Sequence, residues 1–100
     1  MPVSSRAAPS PTETRGPRHK VFLPAEMRDA QGPARVHLLN LSATGALLHG
    51  DSAPAPGAVV QLTCAETNWL ARVVWVQQKR FGVVHVAPFG PKAIAALVGA

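Results

Sequence analysis

Residues 69–86 read WLARVVWVQQKRFGVVHV, and this stretch decides the fold. From Trp69 to Gln77 the residues are mostly β-branched or aromatic, the types that fit a pleated, half-buried surface. Alternation puts Leu70, Arg72 and Val74 on one face and Ala71, Val73 and Trp75 on the other. Trp69, six residues before Trp75, is expected on that same face, both as core packing or a barrel rim. Lys79-Arg80 supplies a polar hairpin tip, and Phe81 to Val86 returns as the partner strand.

The same grammar continues outward. Upstream, Val59 to Cys64 reads as a strand, with Ala65 to Asn68 as the turn after it. Gly50 to Gly57, rich in Pro and Gly, is a loop. Ala46 to His49 is a short apolar strand, and Ser42 to Gly45 is a turn. Arg35 to Leu41 has β character. Asp29 to Pro33 is turn chemistry. Val21-Phe22-Leu23 begins a strand, and Pro24 implies an edge or a bend. Downstream, Pro88 and Pro91 bracket a loop, and Lys92 to Val98 suits about two helical turns with Pro91 at their start. Five or six short strands separated by turns predict an antiparallel all-β domain. Closing the sheet into a barrel removes its edges, and a C-terminal helix is placed to cover one opening. No internal repeat is present.

One hundred residues make one small domain. The first residues, MPVSSRAAPSPTETRGPR, carry no apolar periodicity. They cannot bury enough surface to offset ordering entropy, so residues 1–17 are assigned to a disordered tail. Residues 18–100 are assigned to the barrel, with the helix from about residue 91.

Ten Lys and Arg against five Asp and Glu give a net charge of +5, which suits an anionic partner. Cys64 is the only cysteine, which excludes an internal disulfide and fits a reducing compartment. Its strand-like setting predicts a buried, inert thiol. No apolar run, neither Val73 to Val76 nor Ala93 to Val98, is long enough to span a bilayer, and no signal peptide is visible. A cytoplasmic location is expected.

Asn40-Leu41-Ser42-Ala43-Thr44-Gly45 reads N-x-S-x-x-G where one strand ends and the next begins. Asn offers a donor and an acceptor, and Ser a rotatable hydroxyl. Two positions apart on a strand, both side chains are expected on one face. Gly permits a positive φ or a close approach to the backbone. Upstream lies Arg15-Gly16-Pro17-Arg18-His19-Lys20, a basic segment whose arginines can fork onto phosphates and stack on purines.

This pairing of a basic segment with N-x-S-x-x-G resembles the PilZ domain. VFLPAEM, VHLLNLSATGALLHG, PGAVVQL, ARVVWVQ and FGVVHV resemble its successive strands, so the resemblance runs from Arg15 to about Phe89. It implies a six-stranded antiparallel barrel, often with a C-terminal helix, that binds cyclic di-GMP, commonly as a stacked pair. By that resemblance Asn40 and Ser42 contact a guanine and nearby ligand groups, and Gly45 keeps the surface open. Arg15 and Arg18 clamp phosphates and cover guanine faces, with His19, Lys20 and Thr44 as further candidates. One departure stands out. The family pattern is R-x-x-x-R, whereas Arg15 and Arg18 are three apart, leaving Thr14 or His19 where an arginine belongs. Loss of one charge-assisted bond, about 1.5–3 kcal/mol, weakens binding roughly ten- to a hundredfold.

Other chemistries find less support. Asn40-Leu41-Ser42 also matches a glycosylation acceptor, which needs a secretory route. Asn, Ser and Gly also build plain turns, and the basic segment also fits a solvated flank. His19, His37, His49 and His85 fall in different strands without metal-ligand spacing, so no metal or cofactor is expected. Glu13, Glu26, Asp29, Asp51 and Glu66 form no acid/base pair, and Ser42 sits in no nucleophile motif. The chain is therefore expected not to be an enzyme. Three Phe, two Trp and no Tyr leave few aromatics for nucleic-acid stacking. Two readings follow: a cyclic di-GMP receptor acting through a downstream protein partner, and a degenerate PilZ-like adaptor acting by protein contacts without nucleotide.

Overall fold

The computed structural model of the chain describes residues 18–99. The tail assigned to residues 1–17, with Arg15, lies outside the described residues. The rest is a closed six-stranded antiparallel barrel: β1 (His19–Asp29), β2 (Gly32–Leu41), β3 (Gly45–His49), β4 (Val59–Cys64), β5 (Thr67–Gln77) and β6 (Arg80–His85), followed by α1 (Pro91–Val98). The strands close in the order β1-β2-β3-β6-β5-β4. The predicted all-β barrel with a short terminal helix is thus the fold.

The hairpins are tighter than the sequence suggests, because single residues take left-handed conformations. Ala65 and Glu66, with φ of 49° and 68°, form a two-residue turn, so β5 starts at Thr67. Gly32, at φ 105°, lets β2 begin directly after the Asp29 turn. There the Gln31 N–H donates to Asp29 Oδ1 at 2.8 Å. Pro24 lies within β1, ahead of the stretch Glu26–Arg28 that pairs with β4, so its missing N–H breaks no ladder bond on that side.

Inward positions alternate as the pleat requires. Met27, Val36, Leu38, Leu48, Leu62, Ala71, Val73, Phe81 and Val83 fill the barrel. Each fully buried large side chain contributes about 1.5–3 kcal/mol. Leu97 of α1 joins this core, and α1 packs against β1. Cys64 is buried as expected. Its thiol donates to the Pro24 carbonyl at 3.5 Å, and burial pushes its pKa up. No helix among the described residues is long and apolar enough to cross a membrane.

Three register shifts interrupt the ladders: Lys20 to Leu23 in β1, Leu38 to Asn40 in β2, and Val73 to Trp75 in β5. Each re-aims side chains near the same wall of the barrel, as bulges beside functional sites often do.

Candidate functional site

The turn Ser42–Gly45 is built by its own polar atoms. Ser42 Oγ accepts from the N–H groups of Thr44 (3.3 Å) and Gly45 (3.2 Å) and donates to the Gly45 carbonyl at 3.3 Å. The Ser42 N–H donates to the same carbonyl at 2.9 Å. Ser42 is only 1% exposed, and Gly45 is buried as well. β2 ends at Leu41, so the two-residue periodicity does not carry past it. Asn40 is half-buried on the outer face, while the Ser42 hydroxyl turns inward. The expected shared face for these two residues is therefore not formed. The positive-φ glycines among the described residues are Gly32 and Gly57, so Gly45 does not act through that freedom.

The turn is clamped from below. The His85 N–H donates to the Thr44 carbonyl at 2.8 Å, and the Phe89 N–H to the Ala43 carbonyl at 2.8 Å. The His85 ring is buried, stacked on Phe89 at 4.2 Å and edge-on to Trp69 at 5.9 Å. Its Nε2 lies 3.2 Å from the Ser42 carbonyl. A carbonyl only accepts, so Nε2 carries the proton and donates. Burial lowers the imidazole pKa to about 4, against a smaller opposing pull from the Ser42 and Gly45 backbone. The ring is therefore neutral at pH 7. Trp69 Nε1 and His85 Nδ1 are buried without hydrogen-bond partners among the described residues, so at those atoms the cluster is held by ring packing.

Outside the barrel, register lines up a different set. Lys20 on β1 pairs with Asn40 on β2, and Asn40 with Leu47 on β3. Leu47 pairs with Gly82 on β6, and Gly82 with Trp75 on β5. Phe81 and Val83 point into the core, so Gly82 faces out. A Cβ built on Gly82 would collide with the indole of Trp75. Trp75 thus packs against the outer wall over a glycine notch. The shift at Val74 put it there, on the face opposite Trp69. The expectation that both tryptophans share a face fails for that reason. One signal in the sequence pointed to this: a glycine inside a strand pattern marks a bulge or a close approach.

Arg18 and His19 stand immediately ahead of Lys20, so the basic segment reaches the barrel beside Asn40. Thr44 is half-buried, its hydroxyl 3.5 Å from Ser42 Oγ. The four histidines are less scattered than their spacing suggests, because His37 and His49 pair directly across β2 and β3. Among the described residues no group of three or more His, Cys, Asp or Glu side chains converges as a metal site would need.

A wall with a polar amide, an indole over a notch and a basic approach suits a flat anionic ligand. Among known families, the chain matches the PilZ domain over residues 13–97. The chain belongs to the PilZ domain family. PilZ domains are binding and adaptor modules, generally for cyclic di-GMP. The match includes the basic segment, the Ser42–Gly45 turn and most of α1. No curated protein matches this PilZ chain.

Proposed function

We propose that this PilZ domain is a cyclic di-GMP receptor, with the nucleotide held on the outer wall between Lys20 and Trp75. The observation that carries this reading is the register row Lys20–Asn40–Leu47–Gly82–Trp75, which begins where the basic segment meets the barrel. The Asn40 amide reads a guanine edge, and the indole of Trp75 packs against the ligand. Arg15 and Arg18 fork onto the phosphates, with His19 and Lys20 adding charge. Ser42, Thr44 and Gly45 act indirectly, by fixing the turn that sets the height of Asn40. Output passes to a partner protein that reads the position of the basic segment.

Calorimetric titration with cyclic di-GMP tests this. Binding is expected, with a loss of tenfold or more in Arg18→Ala. Unchanged affinity in that variant removes the clamp, and no heat from the unsubstituted chain removes the receptor.

The adaptor reading is favoured by a different surface. Leu70 and Val86 are 50% and 58% exposed and adjacent, since the Val86 N–H donates to the Leu70 carbonyl at 2.9 Å. With the imperfect R-x-x-x-R, this patch fits a protein contact made without nucleotide. It predicts no heat with cyclic di-GMP even at high protein concentration.

A further inference from the structure

We propose that the ring of Phe22, seated face to face on His37, is a second stacking shelf, so that one cyclic dinucleotide rests both of its bases on this domain. The inference deepens the receptor reading and rests on it.

Phe22 is 71% exposed, the most exposed of the large apolar side chains among the described residues. Leaving such a ring in water is unfavourable unless something covers it. Its placement is made by the backbone, because the shift between Lys20 and Leu23 falls at this residue. The ring is also held in one orientation. It stacks on the His37 imidazole with centroids 4.7 Å apart and planes 11° from parallel. His37 is fixed in turn on β2, paired with Pro24 on one side and His49 on the other. A stacked ring with its outer face open loses little side-chain freedom when a base settles on it.

Its position fits a second base and not the first. Phe22 is two residues along β1 from Lys20, on the same outward face, and Lys20 pairs with Asn40. Trp75 leans over β6, two strands beyond β2 in the closed order. Two strand spacings are about 10 Å. The two aromatic surfaces therefore flank the Asn40–Leu47 centre from opposite sides, too far apart for one base to touch both.

The surroundings suit an anion. The row next to Phe22 is Pro24–His37–His49–Arg80, and the row above it starts at Lys20. Neither row contains a carboxylate. Phosphates linking two bases would cross this neutral-to-basic ground between the shelves.

The test measures cyclic di-GMP binding by the full chain carrying Phe22→Ala, Phe22→Leu or Phe22→Trp, with thermal unfolding of each to confirm the fold. Stacking of one base predicts a loss of roughly tenfold or more in Phe22→Ala. Phe22→Leu should stay weak, because it keeps apolar bulk but no π-face, and Phe22→Trp should restore binding. In the bound state, NMR cross-relaxation should join the Phe22 ring to one guanine and Trp75 to the other. Wild-type affinity in Phe22→Ala, full rescue by Phe22→Leu, or one guanine contacting both rings overturns the shelf. In that case Phe22 is left to a protein partner and the receptor reading is untouched. Absence of any binding by the unsubstituted chain removes the receptor reading, and the shelf with it.

Discussion

The N-x-S-x-x-G segment is divided between two environments only two residues apart. Ser42 is sealed under the turn, its hydroxyl spent on Thr44 and Gly45 and its carbonyl on His85. Asn40 stays on the outer wall between Lys20 and Leu47. The lesson is that one motif can hold a framework half and a contact half. Stability and affinity should then respond to different residues.

His85→Ala should show the framework half most strongly. It removes a buried ring stacked on Phe89 and leaves the Ser42 carbonyl without its donor. A loss of about 3 kcal/mol is expected, or roughly 15 °C in Tm for a domain of this size. A shift of only a few degrees would mean the turn stands without its clamp.

Acid should produce nearly the same effect without a substitution. The folded imidazole titrates at about 4 instead of the ordinary 6.5. Between those values the unfolded chain binds a proton that the folded chain refuses. Stability is therefore complete above about pH 6.5 and falls as the pH drops toward 4, by roughly 3 kcal/mol in all. Urea unfolding from pH 7 to pH 4 measures this, and the slope should largely vanish in His85→Phe.

Smaller changes sharpen the division. Ser42→Ala should cost about 1–2 kcal/mol of stability by orphaning two N–H groups, with any loss of affinity following from the loosened turn. If Ser42→Ala kept full stability yet lost binding, the assignment of halves would be reversed. Asn40→Ala should move stability by no more than about 0.5 kcal/mol while reducing cyclic di-GMP affinity about tenfold, read by unfolding and calorimetry on the same sample.

Much of this architecture was legible from residue type. Strand positions followed from β-branched runs and turns from Gly, Pro, Asp and Asn, because local propensity and burial agree along most of the chain. The places where it was not legible share one cause. Val74 inserts into its ladder and reverses the face of Trp75, and β2 stops at Leu41, so Ser42 escapes the alternation. Both depend on how one strand registers against its neighbour, which period-two reasoning within a single strand does not contain. The role of His85 was hidden likewise, since its partners lie in a turn more than forty residues away. The places of Lys20 near the start of β1 and of Asn40 near the end of β2 were readable because local propensity marks both strands.

The two indoles, turned to opposite faces by that single inserted residue, also give the molecule optical reporters of its own. With no tyrosine in the chain, ultraviolet emission comes almost wholly from Trp69, sealed in an apolar cluster, and Trp75, packed on the wall beside the notch. The first should emit toward the blue and respond to melting. The second should emit toward the red and be quenched when a purine arrives. A single spectrum can then separate occupancy from unfolding without any attached dye.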